Sequence, residues 1–251
     1  MIRAHSAVLG NLFGDVIKWF ADGSHWSGSR GIPTRLFEHT QISLLAIVLA
    51  SAVALPVGLL VGHTRRAEFV AVSVSNVGRA LPSFGILALV FPFTLRYLPG
   101  SIGFPPTLIA LFLLGIPPIL TNTYVGIQAV DRDTVEAARG MGLSGRQILL
   151  QLEVPLAAPI IVAGLRTAAV QVVATATLGA IVAWGGLGRF IVDGFATNDQ
   201  PMIVSGALLV AALAILTELA FGLLERAVSP RTASQGRRRR RFVPGPEGGA
   251  S

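Results

Sequence analysis

The chain has 251 residues, of which 52% are hydrophobic and only 13% charged, with a formal net charge of +7 and a mean hydropathy of +0.67. A soluble domain carries about a quarter charged residues, so this composition excludes a soluble globular protein and points to an integral membrane protein. The chain has no cysteine, which excludes disulfides, thiolate metal sites and a cysteine nucleophile.

No long apolar core followed by a small-residue cleavage site opens the chain, so no removable signal peptide is expected. Residues 6–20 place Val8, Leu9, Leu12, Phe13, Val16, Ile17 and Phe20 at helical spacing, with Asn11, Asp15 and Lys18 opposite. That pattern predicts an amphipathic helix lying on the membrane, followed by a polar Gly- and Ser-rich loop. An apolar run over residues 42–61, ended by His63, Arg65 and Arg66, is long enough to cross a hydrocarbon core that needs about 20 helical residues.

A second block covers residues 69–95 and contains Asn76, Arg79 and Pro82; the missing proline donor predicts a broken or bent helix. The third block, residues 107–130, carries Pro117 and Pro118 at its middle, where a kink is expected. Residues 156–184 exceed one straight span and leave room for a short or re-entrant sixth segment. The last span is expected over residues 201–224, before the arginine-rich residues 231–241. The fold class is therefore an all-α polytopic membrane protein with five core transmembrane helices.

Between the third and fourth blocks lies "DTVEAARGMGLSGRQILLQLEVP", from Asp133 to Pro155. Its charges cannot face lipid cheaply, since each costs several kcal/mol there, by order of magnitude. Asp133 with Glu136, and Ser144 with Gln147, have capping-box spacing. Gly140 and Gly142 between them suit a helix end. The segment thus reads as helix, turn and second helix, a polar elbow with Ala137, Ala138 and Met141 available for contact. If it is cytoplasmic, that side holds twelve of the flanking basic residues against six on the other. The bias puts the elbow and C-terminus inside and the N-terminus outside. It also makes the basic residues a topology signal or a lipid head-group contact; no nucleic-acid partner is expected.

The elbow resembles the cytoplasmic "EAA" loop of ABC-importer permeases: Glu136, Ala137, Ala138, then Gly142 six residues after the glutamate, with Pro155 closing the pattern. The family's terminal Ile-x-Leu-Pro stands here as Leu152-Glu153-Val154-Pro155. The resemblance implies a coupling helix that docks on an ATP-binding cassette subunit. It covers residues 36–226 and points to the glycine betaine, carnitine and choline class of osmoprotectant permeases. "ALPSFGILAL", "PPILTNTYVGI" and "TATLGAIVAWGGLGRFIVDG" resemble blocks of that class, although some relatives carry Gln-Thr where this chain has Arg79-Ala80. Translocation-path or gate candidates on these blocks are Arg79, Pro82, Ser83, Asn122, Trp184, Gly185 and Gly186.

The implied organisation is an interfacial segment over residues 1–36, a permease domain over 37–226 with its coupling loop at 131–155, and a basic cytoplasmic tail over 227–251. Implied partners are the ATPase, an extracytoplasmic substrate-binding protein, and a second permease as homodimer or heterodimer, in the bacterial inner membrane. No cofactor is expected on this chain. The only lysine is Lys18, so a GxxxxGK[ST] phosphate cradle is impossible, and ATP with Mg belongs to the partner. His5, His25, His39 and His63 lack metal-ligand spacing, and no Gly-x-Ser-x-Gly elbow supports catalysis. The competing reading is a stand-alone channel or ion-coupled carrier built around the intramembrane charges Arg79, Arg166 and Glu218. A permease for another small solute is a further alternative.

Overall fold

A computed structural model describes residues 2–66, 68–98 and 102–228, with side chains for all of these except 2–11, 74 and 79. The side chain of Arg79 and the arginine tail therefore lie outside the described residues. Helix α1 (Ile2–Ala21) is followed by a single 3₁₀ turn, Gly23–Trp26, capped by the Asp22 carboxylate, which accepts from the Ser24 amide at 2.9 Å. Hydrogen bonds from the Ser24 amide and then its hydroxyl hold the Asp22 carboxyl below its ordinary value. The second half of α1 does not simply lie at the membrane surface. Val16 and Trp19 are buried, Trp19 in a cluster with Ile32, Leu187, Phe190 and Val210, while Phe13 and Ile17 face outward.

Helix α2 (Ile32–Thr64) begins ten residues before the apolar run, because Gly31 and Pro33 supply a ready helix start. It holds Pro56 within its length and ends in a left-handed cap at Arg65. Its buried residues Ile42, Ala46, Ala50, Ala54, Gly58 and Gly62 recur every fourth position. They form a small-residue seam that lets another backbone approach closely, the usual means of helix association in lipid. The helix in that seam is α5 (Phe104–Gln128). A Cβ on Gly58 would stand 2.7 Å from Thr123 Cβ, and one on Gly62 2.7 Å from Ile127 Cβ.

Between them, α3 (Glu68–Ala80) and α4 (Ser83–Tyr97) meet at Pro82 with an 88° bend, as the missing donor predicts. By contrast α5 runs unbroken through Pro117 and Pro118. It is the central span, with 56% of its most apolar window buried.

The elbow follows as α6 (Arg132–Gly140) and α7 (Gly145–Ile148). Its second capping box is present as expected: the Ser144 hydroxyl accepts from the Gln147 amide, and the Gln147 side chain accepts from the Ser144 amide. The first is not at Asp133. Asp131 is the N-cap, accepting from the Thr134 hydroxyl at 2.9 Å and its amide at 3.3 Å. This places Asp133 in the first turn, where a carboxylate faces the positive helix end. A π-helical turn, Leu149–Glu153, leads into α8 (Val154–Thr175). Pro155 cannot donate a hydrogen bond, and the Val154 amide donates to the Leu149 carbonyl five residues back.

Instead of a re-entrant piece, α8 continues as a 3₁₀ turn, Ala176–Val182, and the chain reverses at Ala183 and Gly186, both at positive φ. Helix α9 (Gly188–Thr197) is a short sixth segment of ten residues, about 15 Å long and too short to cross a core of about 30 Å. The last helix, α10 (Gln200–Val228), packs on α8 and α9, yet only 6% of its most apolar window is buried. Among the described residues, four helices are long and apolar enough to span a membrane, and the bent α3–α4 pair brings the count to five.

Candidate functional site

Three features follow one another from one end of the bundle to the other. At one end is the elbow. Gly142 sits at φ +88°, its amide donating to the Arg139 carbonyl at 3.0 Å while the Leu143 amide donates to the Ala138 carbonyl at 3.2 Å. This pair of bonds is a Schellman motif, which wants glycine at the left-handed position. The spacing of Glu136 to Gly142 is thus the length needed to finish α6 and turn. Gly140 stays inside α6.

Glu136, Ala137 and Met141 are exposed, Met141 by 75%. Ala138 is not available for contact, being only 4% exposed. The Thr134 hydroxyl and amide hold the Asp131 carboxyl below its ordinary value, so the cap is ionised at neutral pH.

In the middle is a cleft of about 550 Å³ lined by Ser83, Asn122, Thr167, Gln171 and Thr175, with Leu114, Pro117 and Pro118 among its apolar walls. Two of the expected path residues, Ser83 and Asn122, therefore meet in one space. Pro82 sets the break that brings the first turn of α4 there, and is not itself in the wall. Among the described residues, every lining side chain is uncharged. Thr167, Gln171 and Thr175 were not expected; their spacing of four along a mostly apolar helix is the signal that marks a polar stripe on α8.

At the other end Trp184, Gly185 and Gly186 form a turn pinned by α2. The Glu38 carboxylate accepts from the Gly186 amide at 2.8 Å and from Arg35 at 2.9 Å. A Cβ on Gly185 would crowd that carboxylate, so a larger residue there would displace the Glu38 side chain from the turn. His39 Nε2 donates to the Val173 carbonyl at 2.9 Å, a buried structural bond. A second cleft, about 640 Å³, opens beside this turn and is lined by Arg30, Arg35, Trp184, Gly185, Arg189 and Asp193, among others.

Arg166 and Glu218 do not line the central cleft. Arg166 of α8 donates to Glu218 and, at 2.9 Å, to Glu225, both on α10. They pair two helices, leaving no described charge in the cleft wall for an ion-coupled carrier.

A membrane bundle with a polar central cleft, a two-helix elbow at one end and a glycine turn at the other defines a permease-type membrane subunit. The chain belongs to the family of binding-protein-dependent transport system inner membrane components, whose sequence profile matches residues 54–233. It is 34% identical to the carnitine transport permease protein OpuCB of Listeria monocytogenes over 88% of this chain and 97% of that one. It is 36% identical to the glycine betaine/carnitine/choline transport system permease protein OpuCB of Bacillus subtilis (strain 168), over 77% and 87%. Among solved structures, the inward-facing MetNI methionine ABC transporter superposes with a TM-score of 0.69 at 24% identity, over 77% of this chain and 94% of that one.

The chain is thus a multi-pass inner-membrane subunit of an ABC importer, a transporter component working with a binding protein and an ATPase. Family membership decides against the stand-alone channel or carrier.

Proposed function

We propose that this chain forms one half of the path for osmoprotectants of the glycine betaine, choline and carnitine class. The observation that carries the path is the polar cleft of about 550 Å³ between Ser83, Asn122 and the Thr167–Gln171–Thr175 stripe. Its volume lies in the usual range for small-molecule sites, about 300–1,000 Å³. A transit site must bind weakly enough to release. The hydroxyls and amides described in its wall offer a quaternary ammonium weak contacts rather than the tight hold of an aromatic cage. Selection then falls to the external binding protein. The names of the relatives support the substrate class.

The cleft lies open against α3 and α4, and five spans enclose only part of a passage, so a second permease, identical or paralogous, completes it. Glu136, Ala137 and Gly142 present the elbow to the ATPase, and Pro155 fixes where the elbow joins α8. The turn of Trp184, Gly185 and Gly186 beside the external cleft faces the binding protein. ATP and Mg act on the ATPase.

The test is uptake of labelled glycine betaine, choline and carnitine in cells lacking their own systems, expressing the chain with its ATPase and binding protein, with and without Glu136→Lys. Expected is saturable uptake that the substitution abolishes, together with loss of ATPase co-purification. No uptake of any of the three, with ATPase still bound to wild type, discards the substrate class. Uptake and association both surviving Glu136→Lys discards the elbow as the docking element.

A further inference from the structure

The elbow is joined to the bundle by chain at two points: residues 129–131 from α5, and the π-helical turn Leu149–Glu153 into α8. A third tie is made by side chains. His63 Nδ1, in the last turn of α2, donates to the Glu153 carboxylate at 2.5 Å across 90 residues of sequence. Glu153 is 6% exposed. A carboxylate so buried is stable as an anion only with a partner, and an ionised carboxylate accepts but does not donate. His63 also faces Gly145, the first residue of α7, where a Cβ would stand 3.4 Å from Nε2. One imidazole thus bonds the last residue of the π-helical turn and lies beside the first residue of α7.

The place of this contact is mechanically particular. π-helical turns have weaker hydrogen-bond geometry than α-helix and recur at functional sites. A pull on the elbow borne by α8 alone would be absorbed by deforming that turn. Helix α2, in contrast, is locked to α5 through Gly58 and Gly62, so anything fixed to His63 is fixed to the central pair of spans. The same region holds a polar cavity of about 190 Å³ at the foot of the elbow, where Arg65, Arg132, Glu136 and Arg139 gather with His63 and Glu153.

We propose that the His63–Glu153 bridge is the strut that makes the elbow, α8 and the α2–α5 pair move as one body, so that ATPase closure reaches the central cleft. Both are positioning residues, acting through the elbow, and the proposal rests on the reading of that elbow as the ATPase docking element. Breaking the strut uncouples hydrolysis from transport without removing the ATPase.

The experiment uses the complete importer in proteoliposomes, carrying His63→Gln, Glu153→Gln, or the exchanged pair His63→Glu with Glu153→His. Glycine betaine moved per ATP hydrolysed is expected to fall by about 5-fold or more in each single variant, the lower end of coupling between distant sites. ATPase co-purification persists, and the exchanged pair recovers part of the ratio. A second readout needs no substrate. Because the chain lacks cysteine, spin labels at Thr64→Cys and Arg139→Cys report one distance with and without ATP and vanadate. That distance stays constant in the otherwise wild-type importer and changes with nucleotide in His63→Gln. The strut is overturned if the transport ratio is unchanged in the single variants, if they lose the ATPase altogether, or if the distance behaves alike with and without His63. Failure of the substrate class alone leaves the wild type silent in uptake while the distance readout still decides.

Discussion

At Gly142 the backbone conformation itself rules out most residues: its φ of +88° is required for the two reverse hydrogen bonds that end α6. A side chain here meets open space, so any effect of substitution comes from the backbone and not from a clash. Left-handed geometry costs a non-glycine residue roughly 1–2 kcal/mol, more for a β-branched one. Gly142→Val is therefore expected to unwind the end of α6 and re-aim Glu136, Ala137 and Met141, while the spans stay intact. The measurement is ATPase co-purification against thermal stability of the permease in detergent: binding should drop several-fold with little change in melting. A large melting shift with binding retained would contradict this assignment. Gly185 is the opposite kind of position, where a Cβ would meet no strained φ but would push the Glu38 carboxylate off the Gly186 amide.

At the scale of elements, the seam of α2 shows how an apolar helix acquires a partner. Lipid is as apolar as leucine, so burial of large side chains does not by itself bring two spans together; close backbone approach does. Ala46, Ala50, Ala54, Gly58 and Gly62 provide it against α5. Gly58→Leu forces side-chain atoms into Thr123 and the Leu120 carbonyl, an overpacking that costs about 1–3 kcal/mol. The expected result is a lowered unfolding midpoint and lower yield in the membrane. Leu60→Ala, on the exposed face of the same helix, should leave both unchanged, and equal effects from the two would remove the seam's role. The bent α3–α4 pair works differently: Pro82 prevents a straight span, and the break opens the wall where Ser83 meets Asn122.

For the whole molecule, one end of the bundle collects Arg65, Arg66, Arg132, Arg139 and Arg146, and the bonds from His63 to Glu153 and from Gln128 to Glu68 tie these segments together. The positive-inside bias puts that end in the cytoplasm. Single cysteines in this cysteine-free chain provide the check. Ser144→Cys, exposed on the elbow, and Ser24→Cys, exposed beyond α1, should react with an impermeant thiol reagent from opposite sides in intact cells. Reaction of Ser144→Cys from outside would invert the topology and with it the roles of both clefts.

The sequence by itself determined the membrane class, the spans to within a turn or so at most ends, the break at Pro82 and the second capping box at Ser144, because each is written in local composition and backbone chemistry. It also held the elbow motif, whose Glu136-to-Gly142 spacing is the count of residues that completes one short helix and its cap. Only the tertiary structure decided that Arg166 serves two carboxylates on α10 rather than a path, that Ala138 is turned inward, that α1 docks on its neighbours, and that Thr167, Gln171 and Thr175 join Ser83 and Asn122. His63 and Glu153 stand 90 residues apart, and no local pattern marks them as a pair. Contacts between helices depend on which face each one turns to the others, a quantity fixed by the packing of all the spans together and by none of them alone.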